Sequence, residues 1–328
     1  MSHPQRSILA AVTLFFVAPI VAEFLLGDFP ATWLPLLIIL APMYGGGALL
    51  IRELTRRTGR GWPTILLLGV AYAIIEEAFT TQSLFNPHYL GMHLLAHAWI
   101  PALGTGAWWT LFMLNVHPFW SIGVSIALVE GLYPSRTRTP WLGKVGVSVA
   151  AALFAVGIIY STSYSLRHDP FRASLAQFLV SALLVVVFAA AAFLIPPPAP
   201  SRNPSPVPSP WLTGGATFLL GAAVFLSPIL WDWGAVVLIL GVDVVFLVGL
   251  GLFSQCSGWT PLHTLSVGAG GALLYGAHAF MQGPVVPCSK SIAIASHVLF
   301  MILALAVVAL GTYRTRSAVL QGTPQPAP

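Results

Sequence analysis

The sequence predicts an all-α, polytopic transmembrane helical bundle of about ten spans, and three observations predict it. Only 7% of the 328 residues are charged while 57% are hydrophobic. Mean hydropathy is +0.86, and apolar runs of about 20 residues recur without strict alternation. So few charges cannot clothe the surface of a water-soluble fold, which makes lipid the expected solvent. Without water in the hydrocarbon layer, backbone groups must be satisfied within a helix or a closed barrel, and the missing period-two pattern excludes the barrel.

Hydrophobic windows place spans at 7–27, 32–51, 62–83, 107–133, 141–164, 174–195, 211–230, 234–253, 262–281 and 291–312. The first follows a short segment carrying Arg6, is long, and lacks a small-residue cleavage site, so it reads as a retained span. With a cytoplasmic N-terminus, the inside loops hold Arg6, Arg52, Arg56, Arg57, Arg60, Arg136, Arg138, Lys144, Arg202, Arg314 and Arg316, 11 of the 14 basic residues. Only Arg167, Arg172 and Lys290 fall outside. This asymmetry predicts an even span count, a cell-membrane location and both termini cytoplasmic. Trp33, Trp62, Trp108, Trp109, Trp141, Trp211, Trp231 and Trp233 mark span ends, where amphipathic rings settle at headgroup level; Trp120 lies inside a span.

Residues 196–210 carry eight prolines and read as an extended linker. The expected organisation is therefore a six-span region (1–195), the linker (196–210), a four-span region (211–316) and a disordered C-terminal tail (317–328). The outside loop 84–106 is long for a turn, and its helix-compatible run Met92–Ile100 suggests a lid or re-entrant segment. Cys256 and Cys288 fall on opposite sides, so a disulfide between them is not expected. The net charge of +5 is spread over loops rather than gathered on one face, so no nucleic-acid partner is expected. The Gly45–Gly47 and Gly268–Gly271 clusters read as close helix packing.

Four acidic residues fall within spans: Glu23, Glu76, Glu77 and Asp243. A charge at the bilayer centre costs about 2.5 to 3.5 kcal/mol on insertion scales, so such residues face a protein interior or a water cavity. Helical rise puts Glu76 roughly 9 Å and His117 about 14 Å below the outer edge of the hydrocarbon layer. Tyr72, Glu76, Thr80 and Ser83 form one polar stripe by α-helical spacing, with Glu77 turned about 100° away. Two adjacent carboxylates in low dielectric suit acid and base roles. Pro118 removes a backbone donor and predicts a kink beside His117. His278, with Tyr275 and Gln282 on its face, and His297 approach the same outer half. Glu23 reads as solvated at a span end, Asp243 has no visible partner, and His93 with His97 forms an i, i+4 pair without a third ligand.

At Glu76-Glu77 the chain resembles the CAAX-processing and bacteriocin-processing intramembrane protease family, which carries Glu-Glu-x-x-x-Arg in one span and single histidines in later ones. Thr81 stands where that family has arginine, Met113 precedes His117 where phenylalanine is usual, and His278-x-x-x-Gln282 replaces His-x-x-x-Asn/Asp. The stretch Arg52–Pro87 is similar to uncharacterised bacterial integral membrane proteins and implies no activity.

Three functions follow. In a hydrolase, Glu76 or Glu77 would be general base on a water oriented by His117 and His278. The cofactor would be a divalent metal such as zinc on His117, His278 and His297, and the substrate a membrane-associated peptide. In a proton-coupled transporter of a small solute the same groups would form the binding site. In a scaffold or sensor they would only fix helix packing. The lipid bilayer is a partner in all three.

Overall fold

The computed structural model describes residues 4–197, 204–230 and 232–321. Ten helical segments follow in order: α1 (Ser7–Leu25), α2 (Ala31–Arg57), α3 (Trp62–Thr80), α4 (Ala107–Leu132), α5 (Lys144–His168), α6 (Leu175–Leu194), α7 (Pro210–Phe225), α8 (Asp232–Phe253), α9 (Pro261–His278) and α10 (Lys290–Leu320). Eight of them are long and apolar enough to cross a membrane. The other two differ for a physical reason. α7 has 16 residues and breaks at Phe225 into a 3-10 turn, Ser227–Leu230, while α9 is rich in buried glycine and alanine and is shielded by protein. The all-α bundle expected from composition is the observed fold.

Local chemistry sets the helix starts. Ser174, Ser209 and Ser289 accept hydrogen bonds from first-turn backbone N–H groups, and Pro63, Pro210 and Pro261 occupy first-turn positions that need no donor. Of the linker 196–210, residues 198–203 lie outside the described residues, as do Trp231 and residues 322–328. Residues 204–209 are irregular, in keeping with their prolines. The last helix continues to Leu320, so residues 317–320, expected as tail, are helical.

α4 is the axis of the bundle. Its apolar window is 83% buried, against 11% for α5, α6 and α8, so the latter three present their sides to lipid. α5 packs on α2, α6 on α3, α7 on α9, and α10 on α4 and α9. One core joins the parts before and after the linker: Phe24, Ile74, Trp120, Phe225, Tyr275 and Phe300 share a cluster. Trp120, the tryptophan inside a span, stacks on Tyr275 at 5.5 Å and donates to the Gly271 carbonyl at 3.1 Å. Small residues allow the approach, as expected of the two glycine clusters. A Cβ on Gly45 would fall 2.0 Å from the Phe15 carbonyl oxygen, and one on Gly270 2.2 Å from that of Gly214.

The loop 84–106 is not the helix its composition allows. Two short 3-10 turns, Tyr89–Gly91 and Leu94–Ala96, lead into a small antiparallel pair, β1 (Trp99–Ile100) with β2 (Thr105–Gly106). His93 and His97 therefore do not share an α-helical face; His93 meets the His88 ring and His97 the Trp108 ring. The loop is tied to the bundle by Asn86 donating to Asp169 at 2.7 Å and by the Ala98 N–H donating to Asp232.

The C-terminal end of α2 is held by a buried ion cluster. Arg52 Nη1 lies 2.8 Å from Glu53, Arg52 Nε 3.1 Å from Glu130, and Arg56 Nη2 2.8 Å from Glu130. Arg52 is fully buried and its guanidinium lies 3.3 Å from the centre of the Trp141 ring. Glu53 also accepts from the backbone N–H groups of Trp141 and Leu142. Two of the arginines assigned to the inside loops are thus neutralised within the protein, where they join α2, α4 and the segment after α4. Glu130→Ala leaves both guanidiniums without their shared carboxylate and is expected to cost about 3–5 kcal/mol. A fall in the thermal midpoint of the detergent-solubilised protein of several degrees checks this.

Candidate functional site

Three of the buried helices depart from α-helical geometry where they carry a titratable residue. π-helical turns occupy Ile20–Leu25, Ile75–Thr80 and Val116–Val124, containing Glu23, Glu76 with Glu77, and His117. Pro19 and Pro118, which cannot donate a backbone hydrogen bond, account for two of them. The wider turn corrects the expected stripe. Glu77 does not point away from Glu76; both carboxylates reach the same imidazole.

His117 Nε2–H donates to Glu77 Oε1 at 2.7 Å, and its Nδ1 lies 3.2 Å from Glu76 Oε2 and 3.3 Å from Ser121 Oγ. Thr81 donates to Glu77 Oε2 at 2.9 Å, and so does Ser83, which in turn accepts from Trp109 Nε1 at 3.1 Å. Ser83, expected on the stripe with Glu76, thus serves Glu77 instead. On the other side, the Tyr44 hydroxyl lies 2.5 Å from both Glu23 Oε1 and Glu76 Oε1. A phenol has one proton to donate. A proton on Glu23 or Glu76 would make both contacts hydrogen bonds. The result is one chain of side chains, Glu23–Tyr44–Glu76–His117–Glu77–Ser83, drawn from α1, α2, α3, α4 and the loop after α3.

Glu76, Glu77 and His117 are each at most 5% exposed. Glu76 Oε2 is out of line for a hydrogen bond to His117 and, like the hydroxyl of Tyr72 one turn earlier, has no hydrogen-bond partner among the described residues. Tyr72 packs between His117 and Tyr44, with ring centroids 6.0 and 6.3 Å away.

The ligand atoms of Glu76, Glu77 and His117 lie within 4.8 Å of one another and are the described residues that could hold a metal ion. Ligation at about 2.0–2.2 Å suits this donor set once Glu77 releases Nε2. His278 and His297, expected as ligands, are not in the set. His278 Nε2–H donates to Gln282 at 3.2 Å, and Gln282 donates to Asp28 at 2.6 Å. His297 is buried against Phe280, with no partner for Nδ1 among the described residues. Asp28, in the loop between α1 and α2, is held well above the usual carboxyl range by burial and by the neighbouring Glu23 carboxylate, with the Gln282 bond opposing. His278 therefore belongs to a branch through Asp28, beside the central chain.

Sequence reasoning missed Tyr44, which a polar residue in the middle of a span next to three glycines could have signalled, and placed Glu23 in solvent. It also left Asp243 without a partner; the structure gives it Asn115, whose Nδ2 donates at 3.1 Å.

Because a hydrogen bond to a charged group is worth about 1.5–3 kcal/mol, a double-mutant cycle between Glu77→Gln and His117→Asn is expected to give a coupling in that range. Thermal unfolding in detergent measures it, and additive effects would show that the pair does not interact.

No curated protein and no solved structure matches the chain. A family model described as "Uncharacterized membrane protein family" matches residues 12–196, from within α1 to the end of α6, and includes every residue of the Glu23–Ser83 chain. The protein belongs to this membrane protein family.

Proposed function

We propose that this multi-pass membrane protein moves protons along Glu23–Tyr44–Glu76–His117–Glu77 and couples them to passage of a small solute. The observation that carries the reading is the Tyr44 hydroxyl between two carboxylates at 2.5 Å each. A proton shared there passes from Glu23 to Glu76 by exchange of which oxygen donates, with no side chain leaving its place. His117, within 3.2 Å of Glu76 and hydrogen-bonded to Glu77, is the next carrier. Intramembrane carboxylates and histidines in chains of this kind suit proton relays, and the π turns supply backbone that can rearrange as the charge moves.

In the same reading, residues 1–195 form the proton-handling unit, 196–210 a cytoplasmic linker and 211–316 a second unit that packs against it. Both termini are on the cytoplasmic side of the cell membrane, in line with the 11 inside basic residues. A second reading, hydrolysis of a membrane-associated peptide, is favoured by the 2.7 Å Glu77–His117 pair, which could activate a water. There Glu77 is general base, and a divalent metal on Glu76 and His117 would polarise the scissile carbonyl.

The test uses the purified full chain in vesicles loaded with a pH-sensitive dye, with a potassium diffusion potential imposed alone or with a panel of amino acids, sugars and organic cations. Proton uptake above that of protein-free vesicles is expected, with Glu76→Gln reducing it more than about tenfold. Uptake equal to that of protein-free vesicles under every condition contradicts the proposal. Chelator-sensitive cleavage of a membrane peptide, lost in Glu77→Gln, would establish the hydrolase instead.

A further inference from the structure

A second intramembrane site lies apart from the proton chain. A cavity of about 330 Å³ opens between α3, α4, α7, α8 and α9, and none of Glu23, Tyr44, Glu76, Glu77 or His117 lines it. Its walls are apolar and strongly aromatic, with Phe119, Trp120, Phe246 and Trp259 among them. Its volume lies at the lower end of the range for small-molecule sites, roughly 300–1,000 Å³. One carboxylate interrupts the apolar wall: Asp243, at the middle of α8, so at the middle of the bilayer.

Asp243 accepts one hydrogen bond, from Asn115 through Oδ2, and forms no ion pair among the described residues. The cavity wall contains no lysine, arginine or histidine. A carboxylate at this depth is costly without a counter-charge. Aromatic faces attract a cation through their negative quadrupole, most strongly where water is excluded. A carboxylate facing a desolvated pocket walled by two tryptophans and two phenylalanines therefore complements one class of molecule.

We infer that this cavity binds a lipophilic organic cation, its charge on Asp243 and its apolar body against Phe119, Trp120, Phe246 and Trp259. Asn115 orients the carboxylate by fixing Oδ2 and leaves Oδ1 for the ligand. The site stands whether or not the proton chain conducts.

Ethidium, whose fluorescence rises in an apolar environment, is the probe, with the full chain in phosphatidylcholine nanodiscs. Saturable binding is expected, weakened by about tenfold or more in Asp243→Asn and retained in Asp243→Glu. On the wild type, the uncharged phenanthridine of the same shape is expected not to displace it, a result that needs no variant to fold. Three outcomes would overturn the inference: binding that never saturates, unchanged affinity in a folded Asp243→Asn protein, or equal displacement by the neutral analogue, which would make the cavity a slot for acyl chains or other neutral apolar groups.

Discussion

Three carboxylates and one imidazole inside a lipid-embedded bundle are the constraint on which the rest of this structure depends. None can be left alone in a medium that does not solvate charge. The structure meets that demand by threading them onto one another: Tyr44 between Glu23 and Glu76, His117 between Glu76 and Glu77. Because each group comes from a different stretch of α1 to α4, the chain also dictates that these four helices meet. α4 must then be the axis, and the lipid-facing helices α5 and α6 close around α2 and α3.

Bringing them together takes more than an α-helix offers. At regular α-helical spacing, consecutive residues such as Glu76 and Glu77 diverge by about 100°. The π turn at Ile75–Thr80 turns both towards His117, and the turn at Val116–Val124, built around Pro118, positions the imidazole. The glycines of α2 and α9 then bring backbones into contact. At the C-terminal end of α2, Arg52, Arg56, Glu53 and Glu130 form a second polar layer of opposite character, with fixed ion pairs and ring stacking. One layer locks the helices, while the other holds groups that can exchange protons.

Much of this is legible in the sequence. Hydropathy windows find every helix, because a bilayer imposes length and apolarity on each span separately. Glu76, Glu77 and His117 stand out for the same reason, as polar residues that lipid penalises. The residues that escaped depend on tertiary geometry. Tyr44 is ordinary in a span until its hydroxyl is seen between two carboxylates, and Glu23 looks solvated until Tyr44 is found against its carboxylate. His278 and His297 turn to other partners, since hydropathy reads chain position while azimuth depends on packing and on π turns. The partner of Asp243 lies 128 residues away, on another helix, where periodicity has no reach.

The central claim is that a proton is shared between Glu23 and Glu76 through Tyr44. Infrared spectroscopy reads it most directly, because a protonated carboxyl has a carbonyl stretch resolved from that of a carboxylate. The difference spectrum at neutral pH between the wild type and the Glu23→Gln, Glu76→Gln double variant should contain one protonated-carboxyl band, shifted in Tyr44→Phe. A difference spectrum containing only carboxylate bands would contradict the account.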